Sequence, residues 1–348
     1  MSDQRDALDA GNQSPKTYHG KPVDPREFKH RDLSNLRERL DAKRTRAREF
    51  RDRADIEVEE CYVCGAAESE VVREMFGYEY AQCANCSHVY QTRRLPKDVL
   101  DEYYETDADF ASIYTDRDQI EYRLEHITKP KLDFVLERID AEEGRWLDVG
   151  CGVGASIQYL ESQGWDAVGL EISDECVAVA DDVLGVELEQ RPIDEYAERN
   201  PDETFDVVTF FGYLEMVPHA MRDLRLARDL LEPDGRVGLG VMNADSMSSM
   251  VHRAIPERAV RHSIPPVGLQ QFTRESVAEA FDRAGFAPEA AWFFGLDFYE
   301  LLTHLCLELD GFQESDLYEF LMENLNDFQQ VVDDETESDY MLFVGERT

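Results

Sequence analysis

Positive charge is what this 348-residue chain has least of: 36 Lys and Arg stand against 75 Asp and Glu, a formal net charge of -39. Such an excess makes a compact chain repel itself in dilute buffer, yet keeps it hydrated where salt screens the repulsion. The shortage therefore points to a halophilic, salt-rich cytoplasm and says little about a substrate. A membrane span needs about 18 or more apolar residues in a row, and no such run is present. A charged-then-apolar leader is missing too, so neither a span nor a signal peptide is expected and the expected location is cytoplasmic. Disorder of the whole chain is excluded, because 43% of the residues are hydrophobic and 10% aromatic. Cysteine is sparse, with 7 in all; Cys151, Cys176 and Cys306 stand apart and read as small buried residues rather than nucleophiles. The length predicts about two domains, with ample chain to bury a core.

Residues 1–25 are polar and rich in Gly, Ser, Asn and Pro, which predicts a disordered tail. The sign of charge then reverses. Between Arg26 and Arg53, 11 Lys or Arg outnumber 6 Asp or Glu, and Leu33, Leu36, Leu40 and Phe50 recur at roughly helical spacing. A basic helix is expected over 26–56. Its alternating Arg and Asp suit a solvated helix docked on the chain's own acidic body, the alternative being a clasp, through residues 26–53, for a nucleotide, RNA or a second subunit.

Cys61-Tyr62-Val63-Cys64-Gly65 and Cys83-Ala84-Asn85-Cys86 form two CxxC pairs within residues 57–95. Four thiolates on two tight turns make the tetrahedral sulfur set that zinc prefers, at a separation suited to a zinc ribbon. With no position left for water the site is structural; two disulfides or an iron-bearing ribbon are the competing readings. After Leu95-Pro96 comes a stretch with Tyr103, Tyr104 and Tyr114, then an amphipathic helix over 127–139 that ends a helical cap, 96–140.

The run Trp146-Leu147-Asp148-Val149-Gly150-Cys151-Gly152-Val153-Gly154-Ala155 is an apolar strand that opens into three alternate glycines. Backbone N–H groups at such a loop, ahead of a helix, receive the polar end of a nucleotide-type ligand. About 20 residues on, Glu171 ends a second strand where an acid meets ribose hydroxyls. The glycine spacing alone also satisfies a dinucleotide fingerprint, so it does not choose the cofactor. Strands are expected near 146–150, 166–171, 186–189, 206–211 and 236–242, alternating with helices, which argues for a parallel sheet covered on both faces. Thr273 caps a helix that Gly285 stops.

The glycine run with Asp148, then Glu171, Phe205-Asp206-Val207-Val208 and Leu231-Glu232-Pro233-Asp234-Gly235, closely resembles the class I S-adenosylmethionine-dependent methyltransferases. The motifs follow that family's order over residues 141–297. The resemblance implies an α/β, seven-stranded Rossmann-like doubly wound sheet of methyltransferase type over 141–348, completed by strands near 288–294 and 339–345. A small N-terminal zinc ribbon precedes it, and one or two helices at 296–332 interrupt it as a helical insertion. S-adenosylmethionine is the implied cofactor, with zinc structural. Asp148, Gly150, Gly152 and Gly154 would surround the methionyl end, and Glu171 would take the ribose. Ile172, Ile193, Asp194 and Phe211 would lie around the rest of the cofactor.

Two histidines of the family's pattern are replaced here by Met216 and Gly268. The local substitutes are Tyr213, Glu215 and His219 as catalytic candidates, with His262 in addition. A zinc ribbon and a Tyr-Tyr segment ahead of the core resemble a subgroup from deoxysugar and surface-polysaccharide pathways, with the tyrosines as a lid. The implied acceptor is small and polar, a nucleotide- or lipid-linked sugar. An RNA methyltransferase, or an inactive cofactor-binding scaffold, is the alternative. The insertion offers a substrate wall or a face for a homodimer, although such stripes are mostly core packing.

Overall fold

Arg145–Val149 is the strand on which the other elements are hung in this computed structural model, which describes residues 15–22, 36–105, 117–255 and 264–348. Trp146, Leu147 and Val149 are all 1% exposed or less, as befits a strand covered on both faces. In chain order the strands are β1 (Lys16–His19), β2 (Ile56–Glu57), β3 (Ser69–Met75), β4 (Tyr78–Cys83), β5 (Val89–Gln91), β6 (Arg93–Arg94) and β7 (Arg145–Val149). They continue with β8 (Asp166–Leu170), β9 (Phe205–Phe211), β10 (Leu231–Met242), β11 (Gln270–Gln271), β12 (Phe286–Phe294) and β13 (Tyr340–Arg347).

The main sheet has seven strands in the order β1-β12-β13-β10-β9-β7-β8. Its pairings are parallel except around β13, which runs antiparallel to both β10 and β12. Alternate side chains feed two separate cores. Leu147, Val149, Val208 and Phe210 face the helices at Ile193–Arg199, Ala220–Leu230 and Arg274–Ala284, while Trp146 and Val207 face those at Lys129–Leu136 and Ala155–Ser162. The chain thus adopts the expected doubly wound, seven-stranded sheet. Thr273 and Ser276 form a capping box, and Gly285 ends that helix at φ 82.

The seventh strand is not the one expected. Residues 186–189 make a single bridge, Leu170 to Glu189, before Arg191 turns back onto Glu189 and Pro192, with no N–H to offer, leads into the next helix. The place is filled at the opposite edge by β1, inside the stretch expected to be a disordered tail. Lys16–His19 pairs in parallel with β12, and Gly20 O accepts from Trp292 Nε1 at 3.0 Å. Backbone pairing needs no apolar side chain, so a polar composition did not announce it.

β3, β4 and β5 form an antiparallel meander whose edge is completed by β11 from the main domain. The cysteine module is therefore joined to the main domain through this shared sheet. The basic segment is helical over Leu36–Arg51 and lies on this module: Tyr78 Oη donates to Ala47 O at 3.1 Å and Arg51 Nε to Gly77 O at 3.0 Å. The insertion is three helices, Asp297–Glu308, Asp316–Glu323 and Leu325–Asp334, around Leu302, Phe312, Met322 and Leu325. Among the described residues no helix is long and apolar enough to cross a membrane.

Candidate active site

The glycine loop joins β7 to the helix Ala155–Ser162, with Gly150, Gly152 and Gly154 at φ 74, 60 and 75, a conformation that L side chains rarely adopt. Glu171, at the end of the neighbouring β8, braces the loop. Its Oε2 accepts from Gly152 N at 3.0 Å, and its Oε1 from Ile172 N at 2.7 Å and Ser173 N at 2.9 Å. Ile172 beside it is 68% exposed, an apolar platform open to a ligand.

The other expected cofactor contacts are arranged differently. Asp148 is buried, with Oδ1 accepting from Thr209 Oγ1 at 2.8 Å and Oδ2 from Ser156 Oγ. It fixes the loop from behind, and burial raises its carboxyl above the usual range against those two hydrogen bonds. Ile193 is fully buried in the main core, so the expectation of an adenine contact is corrected: it opens a short helix and points inward. Asp194 is held 2.8 Å from Arg222 Nη1, which also grips Asp223 through Nε at 2.9 Å.

The catalytic candidates separate into two places. Tyr213 Oη donates to Asp223 Oδ2 at 3.0 Å, and burial together with that carboxylate pushes the phenol up, away from a role as base. His219 stands exposed before the helix Ala220–Leu230, its pKa lowered by partial burial and by Arg222. Arg222 and Asp223 are its charged neighbours. His262, Tyr114 and the side chain of Tyr104 lie outside the described residues.

Glu215 is different. It is 1% exposed, its Oε1 accepts from Met242 N at 2.7 Å, and its Oε2 has no hydrogen-bond partner among the described residues. Burial pushes its carboxyl up to about 7. Facing it electrostatically is Lys131, whose ammonium lies 4.7 Å from the Phe211 ring centroid and 5.4 Å from that of Tyr340. Desolvation lowers this lysine to about 8, with Asp148 and Glu215 pulling the other way. The Tyr340 hydroxyl, buried and without a partner among the described residues, completes the group, and Gly240 admits it because a Cβ there would collide with that hydroxyl. Neither Lys131 nor Tyr340 was a candidate from the sequence. Lys131 had a signal, being one turn from Ile127 and from Val135 on the inner face of its helix; Tyr340, one aromatic in a strand, had none.

All four paired cysteines converge. Their Sγ atoms lie within 4.8 Å of one another, Cys61 to Cys86 at 3.6 Å and Cys64 to Cys83 at 3.4 Å, and none forms a disulfide. Sulfurs about 2.3 Å from a tetrahedral zinc are about 3.8 Å apart, so the set fits that ion. A buried chain of hydrogen bonds leads from the cysteine module to the backbone on either side of Glu215. His88 Nε2 donates to Gln270 Oε1 at 2.7 Å, and Gln270 Nε2 donates to Leu214 O and Val217 O, each at 2.7 Å. Gly268, where the family's pattern has histidine, supplies a carbonyl to Tyr80 Oη at 3.0 Å and to Gln91 Nε2 at 2.9 Å. Its position is thus occupied with joining module to core.

The lid expectation is corrected at Tyr103. It is 4% exposed, stacks edge-on with Phe50 at 5.1 Å and lies 4.2 Å from the Arg46 guanidinium, so it fastens the basic helix rather than a cofactor mouth. The basic helix turns much of its charge on its own chain, Arg37 to Leu307 O, Arg46 to Tyr103 O and Arg53 to Glu102 in a two-pronged ion pair.

Residues 120–291 match the family model described as a methyltransferase domain. The chain is 34% identical over 146 residues to the ubiquinone biosynthesis O-methyltransferase of Aliivibrio fischeri (strain MJ11), covering 40% of this chain and 62% of that protein. It is 27% identical over 157 residues to the protein of the same name from Xanthomonas campestris pv. campestris (strain B100), covering 42% and 65%. The chain thus spans less than two thirds of these relatives' length. Among solved structures, magnesium protoporphyrin IX methyltransferase from Synechocystis PCC 6803 aligns with a TM-score of 0.48 at 14% identity, over 73% of this chain and 100% of that one. The cyclopropane synthase MmaA2 of Mycobacterium tuberculosis aligns at 0.47 and 19%, over 70% and 95%.

Proposed function

We propose that the chain, whose residues 120–291 match the family model described as a methyltransferase domain, transfers a methyl group from S-adenosylmethionine to a hydroxyl of a small polar acceptor. The observation that carries the reading is geometric: a buried carboxylate, Glu215, with one oxygen lacking a hydrogen-bond partner among the described residues, and Lys131 seated over the rings of Phe211 and Tyr340 within its electrostatic reach. Methyl transfer from a sulfonium is an in-line displacement, so positioning and exclusion of water do most of the work. A hydroxyl acceptor also has a proton to lose. Lys131, partly exposed and flanked by two aromatic rings, meets the acceptor, while Glu215 behind it takes up the charge. The donor's ribose lies on Glu171, its adenine on Ile172, and its methionyl end over the glycines that Asp148 holds from behind.

Oxygen as the receiving atom is supported by the names of the curated relatives. For the acceptor's class, a nucleotide- or lipid-linked sugar is supported only by the order of cysteine module and core. The four thiolates are read as a structural zinc site that would hold the module whose hydrogen bonds reach Leu214 O and Val217 O, around Glu215; the ion takes no part in methyl transfer.

Incubation with methyl-labelled donor and fractionated extract in concentrated KCl tests the reading. Label is expected in a small-molecule fraction, with Lys131→Met reducing the rate by about 10²- to 10⁴-fold, the size of general-base catalysis. Label in RNA, or donor binding without transfer, would overturn the proposed acceptor or the activity respectively.

A further inference from the structure

The helices Met247–Ala254 and Asp297–Glu308 follow β10 and β12 and pack together above the C-terminal edge of the sheet. Asp297 Oδ1 accepts from Ser248 N at 2.9 Å, tying their first turns. One turn further, His252 Nε2 donates to Glu300 Oε1 at 2.7 Å, and the next turn brings His304 Nε2 to 3.8 Å from the same oxygen. All three side chains are buried at 1% exposure. A hydrogen bond explains why His252 faces Glu300. It does not explain His304, whose two ring nitrogens both lack a hydrogen-bond partner among the described residues, or the equally bare Nδ1 of His252. Buried imidazoles normally have partners, and one with neither nitrogen satisfied, aimed at a carboxylate, is a donor set without its acceptor.

We propose that His252, Glu300 and His304 bind a divalent transition-metal ion of the zinc class, separate from the four-cysteine site. One donor atom from each residue lies within 4.8 Å of the others. Ligands about 2.1 Å from a tetrahedral ion are about 3.4 Å apart, so the His252–Glu300 pair at 2.7 Å would open slightly and the His304–Glu300 pair at 3.8 Å would close slightly around the ion. Two neutral imidazoles and one carboxylate suit borderline ions, and offset half of a divalent charge, whereas magnesium or calcium would demand more oxygen. Glu300 and His304 are four residues apart on one helix face, a spacing that lets both reach one ion while His252 closes on it from the facing helix. The donors are shut off from solvent, so the ion enters during folding and clamps the two helices. The assignment stands whether or not methyl transfer is the activity.

The full-length chain is produced with cobalt replacing zinc in the medium, desalted in concentrated KCl, and assayed for metal per chain by mass spectrometry together with its visible spectrum. Two cobalt ions per chain are expected. One gives the strong sulfur-to-metal charge transfer of a thiolate site, and the other only weak bands of a nitrogen and oxygen set. His304→Gln is expected to halve the metal content while keeping the thiolate spectrum, which also reports that the variant is folded. A wild-type chain that holds a single cobalt with purely thiolate absorption overturns the proposal, as does a His304→Gln chain that still holds two.

Discussion

Replacing Glu171 by alanine tests the donor pocket most directly, because the structure limits how much the residue has to give. A carboxylate offers about four acceptor positions. Three are already filled, by Ile172 N and Ser173 N on Oε1 and by Gly152 N on Oε2. One position on Oε2 is left, enough for one ribose hydroxyl without loosening the loop. A hydrogen bond to a charged group contributes about 1.5–3 kcal/mol, so the dissociation constant for S-adenosylmethionine is expected to rise about 10- to 150-fold. Titration calorimetry in concentrated KCl measures it. 5′-Methylthioadenosine, which keeps the ribose and lacks the amino-acid end, serves as the control: it should lose the same factor. A loss confined to the full donor would assign Glu171 to the glycine loop alone, and an unchanged affinity for both ligands would refute the placement of the ribose.

Three further outcomes follow from the buried group. Glu215 sits near 7 against an ordinary 4.5, so the folded chain holds its proton more tightly than the unfolded one. The associated stability is full below the ordinary value and is lost as pH rises through about 7, an effect of about 3 kcal/mol at most. Glu215→Gln keeps an oxygen for Met242 N and should match wild type near pH 4.5, then exceed it in melting temperature at pH 8; a constant difference across that range would count against the buried charge. In activity, wild-type kcat/KM should climb as pH passes from about 7 to about 8 and the coupled pair loses protons. Since the Glu215 charge raises Lys131, Glu215→Gln should move the limb to lower pH, and an unmoved limb would separate the two residues. Gly240→Ala presses a methyl against the Tyr340 hydroxyl and the Phe211 ring; overpacking of this kind costs about 1–3 kcal/mol, and Tyr340→Phe in the same chain should recover part of the loss on thermal melting.

Local patterns carried those parts of the molecule whose physics is local. Three alternate glycines at positive φ, the acid one strand over, the Thr273 cap with its Gly285 stop, and the convergence of two CxxC pairs were all legible, since each depends on residue type at short spacing. Legibility failed where backbone pairing or distant packing decided. Val186, Leu188 and their neighbours have strand-like residues but meet Pro192 too soon, while the polar Lys16–His19 became a strand because β12 offered it a free edge. Ile193 and His219 were each adjacent in sequence to plausible site positions, yet the first turned into the core and the second out to solvent.

By itself, then, the amino-acid order determined the parallel sheet, the glycine pocket, its carboxylate partner and the four-sulfur knuckles, because periodicity, turn geometry and ligand spacing act over a few residues. Only the tertiary structure decided that Lys131 and Tyr340 meet the buried Glu215, that His252 faces Glu300 and His304, and that the cysteine module is joined to the backbone at Leu214 and Val217 through His88 and Gln270. Those meetings join residues up to about two hundred positions apart, and what makes them consequential is loss of water around charged and polar groups, a property that exists only once the chain has closed over them.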